Sequence, residues 1–532
     1  MSLNEQIRAR LAGRSLVAGH RVEPRGGSFA PASTPGGPEL GFTYAAASEA
    51  DIDAAAREAG ACAAAFRDSA RESRAAMLTY AAEEIAALGD GLIEVASAET
   101  GLARPRLAGE RDRTVYQLRM FAEIVREGSW AEAVIDRGDA SRQPLPKPDV
   151  RRMLRPLGAV AVFGASNFPL AYSVAGGDTA SALAAGCPVI VKGHSSHPAT
   201  GELVALAVSG AVARAGVPAG AFSFLHAGGE RDVAVGVELL SHPSIAAGGF
   251  TGSPGAGVAL ARLAAGRACP IPFFAEMGSI NPVVVMPGAL ERRGDEIAAK
   301  LAASFTNSAG QMCTCPGLVL GVAGPARENF VQRLSVGAGA TAAQPMLSAR
   351  IRDAWRSGVR ESEAAGASLV TGGGEWGASG EAAVVLRADA AAFRASARLR
   401  EECFGPSTLV VSCASVAEMM ECAALVGGAL TATLWAEPGE EVGAVVGALE
   451  SIAGRVVFNG VPTGVEVCDA MVHSGPFPAC NRADSTAVGR FAMRRWCRPV
   501  AYQNCPDPLL PAELRESNPL GIGRRVNGRW SE

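Results

Sequence analysis

The chain has 532 residues, 48% hydrophobic and 19% charged, with a formal net charge of −4. That length implies two or three domains, and the composition excludes a disordered chain. A mildly acidic balance with 5% aromatic residues argues against a nucleic-acid surface.

Twelve cysteines lie scattered without a dense framework, and no signal-like segment opens the chain, so a reduced cytoplasmic setting is expected. No apolar run reaches about twenty residues, so no membrane span is expected. No Cys or His spacing reads as a metal site.

Residues 1–45 are loop-like, with a short strand around 15–18. Alanine recurs with intervening charges through 51–66 and 75–88, which predicts helices. A third helical run, 94–99, stops at Gly101, suited to a C-terminal cap. Residues 106–126 predict a helix lying over a core, and 136–150, with three prolines, a linker or flap. Strands are then expected at 157–163, 188–192, 221–225 and 245–251, and helices at 168–183, 200–215, 232–240 and 255–264. This alternation is the pattern of a doubly wound parallel sheet, which binds ligands where loops leave its strand ends. Gly252-Ser253-Pro254-Gly255 is a turn whose amides could meet a pyrophosphate or could simply be structural. A second α/β pattern starts near Pro282. Helices are expected at 291–305, 327–336, 346–357, 417–426 and 440–449, strands at 317–321, 407–412 and 456–459, a glycine-rich turn at 373–378 and a strand-like run at 490–503.

Within that second pattern, Ser304 to Pro316 reads SFTNSAGQMCTCP. Cys313 and Cys315 follow a run of small residues that suits an exposed turn or a helix start. They are either a buried structural pair or carry a nucleophile. Backbone amides at such a start favour the thiolate, and a thiolate attacks carbonyls.

Three motifs stand in a fixed order: Asn167-Phe168-Pro169, then Glu276-Met277-Gly278, then Asn307 with Gly310, Gln311 and Cys313. On these the chain resembles the aldehyde dehydrogenase superfamily over nearly its whole length. Within it, the chain is most similar to the branch of 2,5-dioxovalerate, or alpha-ketoglutaric semialdehyde, dehydrogenases. The branch likeness rests on Glu99-Thr100-Gly101-Leu102, Arg106-Leu107, Gly109-Glu110-Arg111, Gln117-Leu118-Arg119, Gly475-Pro476-Phe477-Pro478 and Arg498-Pro499-Val500. The sequence departs from the family pattern at Ser166 and Ser279, and from the branch at Ala479-Cys480-Asn481-Arg482.

The resemblance implies an α/β protein of the aldehyde dehydrogenase-like fold, with two doubly wound α/β domains plus a small oligomerisation sheet. The cofactor domain is expected at 1–139 and 154–280, the catalytic domain at 281–489, the oligomerisation element at 140–153 and 490–510, and a tail at 511–532. Cys313 is implied as nucleophile, Glu276 as general base and Asn167 as an oxyanion donor. Lys192, Gly252, Ser253, Glu402 and Phe404 are implied as cofactor contacts. NAD-using relatives place a glutamate where this chain has Ser195, and some NADP-using relatives place an arginine where it has Arg231. That implies NADP as the preferred cofactor, with NAD possible, although Arg231 also reads as a solvated helix-start residue. The substrate implied is a small-molecule aldehyde, 2,5-dioxopentanoate above others. Its carboxylate calls for arginine, for which Arg113 and Arg119 beside Phe168 are weak candidates that read more readily as surface or interdomain residues. A homodimer or tetramer is implied. Rival readings are a general aliphatic aldehyde dehydrogenase, an acylating enzyme that uses coenzyme A, and a non-catalytic protein on the same fold.

Overall fold

The computed structural model describes residues 5–31, 41–372 and 380–531. The expected glycine-rich turn at 373–378 lies outside the described residues. Two seven-stranded sheets carry the molecule and a five-stranded sheet joins them.

The first sheet runs Phe273–Glu276, Ile245–Thr251, Ala159–Phe163, Val189–Lys192, Phe222–Leu225, Leu16–Val17 and His20–Arg21. Its first five strands are parallel and the last two antiparallel. Ala159–Phe163 and Phe222–Leu225 are buried throughout, as expected of strands covered by helices on both faces. Chain order diverges on the two sides of Ala159–Phe163. The crevice beyond that strand is therefore a topological switch point, and residues 164–167 occupy it.

The second sheet runs Ser368–Thr371, Val384–Asp389, Ser407–Cys413, Leu318–Val322, Pro282–Val285, Ala429–Trp435 and Ala453–Phe458. Ala429–Trp435, absent from the sequence reading, is fully buried between two parallel neighbours. Its alternating alanines and threonines lack the β-branched apolar run that marks such strands. Phe273–Glu276 and Val384–Asp389 were likewise not expected as strands, though both are short and apolar.

The predicted helices are present, most of them extended. Arg104–Glu127 is capped by Gly128 at φ 86°, and Gly89–Thr100 by Gly101 at φ 69°, the left-handed caps that glycine adopts without a Cβ clash. The helix expected over 168–183 is corrected: only Gly177–Ala185 is helical. The residues ahead of it form tight turns closed by Ala165 N to Tyr172 O at 2.9 Å. Glu110 holds those turns, its Oε1 accepting from Leu170 N at 2.8 Å and Ala171 N at 3.0 Å.

In the third sheet, Val150–Pro156 pairs antiparallel with Cys497–Gln503 from Pro156↔Cys497 to Val150↔Gln503. Val134–Asp136, Arg524–Val526 and Arg529–Ser531 extend it on the other side. The end of the chain, expected as a tail outside this element, thus adds a hairpin to it.

Candidate active site

The long helix Pro287–Thr306 ends in a turn, Asn307–Gly310, with Ser308 and Ala309 at φ 54° and Gly310 at φ 63°. Position 310 must be glycine, because a Cβ there would lie 2.1 Å from Gly405 O. Gln311 fixes the exit from this turn. Its Nε2 donates to Ser308 O at 3.1 Å, and its Oε1 accepts from Leu347 N at 2.8 Å. Cys313 follows as a half-buried turn residue. Asn281, fully buried at φ 50°, donates from Nδ2 to Cys313 O at 2.8 Å and to Cys315 O at 3.0 Å. Its Oδ1 accepts from Ser279 Oγ at 2.8 Å and Thr431 Oγ1 at 3.0 Å. The departure at Ser279 therefore helps to lock the cysteine loop. Cys315 points elsewhere, its thiol 3.8 Å from Phe305 O.

Cys313 thus stands beyond a helix C-terminus, not at a helix start. The expected amide support for a thiolate is replaced by the opposite balance: burial, followed by the charge of Glu276, pushes the Cys313 thiol well above its ordinary pKa. The resting thiol is protonated and requires a base.

That base is adjacent. Glu276 ends the strand Phe273–Glu276 and is 6% exposed. The loop at 479–481 docks on this strand through Met277 N to Ala479 O at 2.7 Å and Asn481 N to Ala275 O at 3.1 Å. The branch-departing Ala479-Cys480-Asn481 run therefore holds the carboxylate in place. His473, missed in the sequence, joins the two groups. Its Nε2 lies 3.6 Å from Cys313 Sγ and 3.2 Å from Glu276 Oε1. Burial raises the Glu276 pKa, but the charge and hydrogen bond of His473, with a hydrogen bond from Cys313, outweigh it and hold the carboxyl below its ordinary value. A cavity of about 20 Å³ abuts Glu276 and His473, room for about one water.

Asn167 reaches the cysteine loop from the switch point, its Nδ2 donating to Gln311 O at 3.1 Å. Arg106 donates to Asn167 O at 2.7 Å and lies over the Phe168 ring at 4.7 Å. Arg113 donates to Tyr172 Oη at 3.2 Å, and Tyr172 in turn sits 5.9 Å from the His473 ring. Arg455, another residue the sequence reading passed over, comes from the strand Ala453–Phe458 and donates to Pro462 O at 2.5 Å and Gly464 O at 2.9 Å. Its Nε is buried without a partner. Arg113 and Arg455 are both half-buried, and the charges of both act on Cys313 and Tyr172. Arg119 does not join them. Six residues after Arg113 it has turned through roughly 240° of helix, and it is exposed to solvent.

Of the residues expected to meet the coenzyme, Lys192, Ser195, Arg231, Gly252 and Ser253 lie at the ends of first-sheet strands, whereas Glu402 and Phe404 precede the second-sheet strand Ser407–Cys413. Lys192 Nζ lies 2.5 Å from Asp232 Oδ1, and Ser195 Oγ donates to Asp232 Oδ2 at 3.2 Å. Asp232 was not foreseen. Arg231 is drawn away from this pair, donating to Ala47 O at 3.1 Å and Glu238 Oε2 at 2.6 Å. Gly252 N donates to Glu276 O at 3.1 Å, and Ser253 precedes the helix Pro254–Ala265, whose first amides are free to meet an anion. Glu402 packs on Gly278, where an added Cβ would lie 2.5 Å from its carboxylate. Burial raises the Glu402 pKa to about 8. Phe404, two residues on, is half-buried. An open helix start, a switch-point crevice and flanking polar groups fit a dinucleotide.

Two doubly wound sheets, a crevice at the switch point of one and a thiol–carboxylate cluster joined to it through Asn167 define a two-domain α/β dehydrogenase. The chain belongs to the aldehyde dehydrogenase family, whose sequence pattern matches residues 25–475, and it is an aldehyde dehydrogenase. It is 46% identical to alpha-ketoglutaric semialdehyde dehydrogenase 2 of Azospirillum brasilense, over 98% of this chain and 99% of that one. To the alpha-ketoglutaric semialdehyde dehydrogenase of Acinetobacter baylyi it is 42% identical, over 97% and 98%. The solved gamma-glutamyl-gamma-aminobutyraldehyde dehydrogenase of Burkholderia cenocepacia J2315 shares the fold, with a TM-score of 0.80 at 22% identity over 94% of this chain and 98% of that one. Among the described residues no helix is long and apolar enough to cross a membrane.

Proposed function

We propose that this enzyme oxidises a short oxo-acid semialdehyde, 2,5-dioxopentanoate to 2-oxoglutarate, with NADP preferred and NAD accepted. The observation that carries the substrate reading is the pair of half-buried cations, Arg113 on the Tyr172 hydroxyl next to His473 and Arg455 with its Nε unpartnered, whose charges act on the Cys313 thiol. An uncharged aldehyde gives those cations no counter-charge, whereas a substrate carboxylate does. The two semialdehyde dehydrogenases similar over the whole chain support the same reading. For the coenzyme, the reading rests on Ser195, which stands where NAD-using relatives carry a glutamate, and it requires that the Asp232 carboxylate on Lys192 and Ser195 not reach the 2′-phosphate.

Glu276, ionised at neutral pH, takes the Cys313 proton directly or through His473. The thiolate adds to the aldehyde carbon, and the oxyanion of the thiohemiacetal is met by Asn167 Nδ2 and the Cys313 amide. Lys192, Ser195, Gly252, Ser253, Glu402 and Phe404 hold the coenzyme, which when bound accepts the hydride. The thiohemiacetal becomes a thioester. Glu276 releases the Cys313 proton to solvent and, ionised again, takes a proton from water; the hydroxide attacks the thioester, and the carboxylic acid leaves as the Cys313 thiolate returns. Glu276 favours hydrolysis over transfer to coenzyme A.

We assign 1–139 with 154–280 to coenzyme binding and 281–489 to catalysis. The third sheet forms the subunit contact, because Cys497–Gln503 presents an exposed edge that a second copy can cover. Light scattering at micromolar concentration is expected to give a dimer or tetramer, and a monomer would refute this assembly. The function is tested by kcat/KM for 2,5-dioxopentanoate, succinic semialdehyde, glutaric semialdehyde and hexanal, each with NADP and NAD. The oxo-acid semialdehyde should rank first. If hexanal ranks first, the carboxylate reading fails.

A further inference from the structure

We propose that Cys313, His473 and Glu276 form a three-ligand site for a thiophilic divalent cation of the zinc type, and that occupation of this site silences the enzyme. The binding claim rests on the geometry alone. Only the silencing rests on Cys313 being the nucleophile.

The Sγ, imidazole nitrogen and carboxylate oxygen of these residues all lie within 4.8 Å of one another. Sulfur to nitrogen is 3.6 Å and nitrogen to oxygen 3.2 Å. A tetrahedral zinc ion takes about 2.3 Å to sulfur and about 2.0–2.2 Å to nitrogen or oxygen, which sets neighbouring ligand atoms roughly 3.4–3.6 Å apart. Two edges, sulfur to nitrogen and nitrogen to oxygen, therefore already match one face of such a tetrahedron, and the third, sulfur to oxygen, lies within 4.8 Å.

A proton relay needs only two successive contacts and leaves its outer members free to diverge. Here the outer members, thiol and carboxylate, also converge. Each is held from its own side. Asn281 pins the Cys313 carbonyl, Met277 N and Gly252 N anchor the Glu276 strand, and His473 N donates to Thr486 Oγ1 at 2.9 Å. A cation could thus be seated without main-chain movement. Glu276 and His473 are 6% and 1% exposed, and Glu276 Oε2 is buried without a partner. No other trio of such residues among those described converges in this way.

The donor set selects the ion. One sulfur, one imidazole nitrogen and one carboxylate oxygen suit zinc, and cobalt(II) as its stand-in. Magnesium and calcium require oxygen shells that these residues do not supply. Thiolate and carboxylate together cancel the dication, so the buried complex is neutral. Binding exchanges the thiol proton for the metal: Cys–SH and M²⁺ give Cys–S–M⁺ and H⁺, with no change of oxidation state. The sulfur lone pair that would attack the aldehyde is then committed to the metal. The protein contributes three ligands, as in open zinc sites, and the fourth position is left for water.

The test uses the full-length enzyme, freed of metal by a chelator and titrated with cobalt(II), then zinc. Cobalt should bind one per chain with a thiolate-to-cobalt charge-transfer band, and zinc should displace it. Cys313→Ala should lose the band although eleven other cysteines remain, and circular dichroism should show it folded. His473→Ala and Glu276→Gln should each raise the zinc Kd about tenfold or more. Zinc should also inhibit wild-type turnover, with recovery on chelation. The proposal is overturned if no charge-transfer band forms, if the band survives in Cys313→Ala, or if zinc binds the His473 and Glu276 variants as tightly as wild type. Because the band is read without turnover, failure of the proposed reaction leaves this result interpretable.

Discussion

Asp232 Oδ1 sits 2.5 Å from Lys192 Nζ, and the carboxylate also takes a hydrogen bond from Ser195. Both residues the family likeness assigns to the adenosine ribose are thus already engaged by one acid, at the first position of the helix Asp232–Ser241. Burial works to raise the Asp232 pKa, but Lys192 outweighs it and keeps the group ionised. A 2′-phosphate bound to Lys192 must share it with this charge. Asp232→Asn keeps the shape and removes the repulsion. The ratio of kcat/KM for NADP over NAD should rise about two- to fivefold, the scale of one partly exposed charge contact of about 0.5–1 kcal/mol. An unchanged ratio would show that Asp232 does not reach the phosphate, and a strong wild-type preference for NAD would remove the argument from Ser195.

The thiol and carboxylate assignments separate in their chemistry. Cys313→Ala should abolish aldehyde oxidation and leave the fold, because a half-buried turn residue loses only its sulfur. Folded protein with wild-type turnover would overturn the covalent mechanism. In Glu276→Ala, His473 remains 3.6 Å from the thiol to take its proton, so acylation should slow but an acyl-enzyme should still accumulate, since hydrolysis loses its base. Mass spectrometry after mixing with substrate and coenzyme should find the adduct on the Cys313 peptide; rapid turnover without adduct would remove the role given to Glu276.

His473 sets the acid side of the pH profile. Ionised Glu276 is the working base, so activity falls as pH drops through its depressed pKa. Without His473, burial prevails and the Glu276 pKa rises. The acid limb of kcat should then move to higher pH in His473→Ala, and less far in His473→Gln, which keeps a donor. A limb superimposable on wild type would show that His473 does not tune the carboxylate.

The sequence exposed what is local in the chain. The run from Asn307 to Cys313 and the glutamate ending at Gly278 could be read because their glycines meet immediate steric demands, at Gly405 O and the Glu402 carboxylate. His473 and Arg455 could not, because folding brings each to the site from a separate segment; Asn281 and Asp232 lie beside the noted Gly278 and Arg231, but their partners Cys313 and Lys192 are distant in sequence. One signal was available for His473: it is one of six histidines and stands just ahead of the noted Gly475-Pro476-Phe477-Pro478. The turns before Gly177 are apolar and so resemble a helix in sequence, but Glu110, 60 residues before Leu170, takes the Leu170 and Ala171 amides and turn hydrogen bonds close the rest. Arg119 was indistinguishable from Arg113 until the helix fixed which face each occupies.

The substrate reading is tested at Arg113, whose removal disturbs fewer main-chain contacts than removal of Arg455. Arg113 donates to the Tyr172 hydroxyl and lies 5.0 Å from that ring's centroid. Arg455 braces the carbonyls of Pro462 and Gly464, so its loss would also loosen a loop. Arg113→Met keeps the packing length and deletes the charge. A charge-assisted hydrogen bond contributes about 1.5–3 kcal/mol, so kcat/KM for 2,5-dioxopentanoate should fall roughly tenfold to a hundredfold, chiefly through KM. Hexanal has no carboxylate and should change by less than about threefold, within the scatter of a packing change. The melting temperature of the variant serves as the control for folding. Equal losses on both substrates would mean that Arg113 shapes the site without reading the carboxylate, and Arg455 would then have to carry that recognition alone.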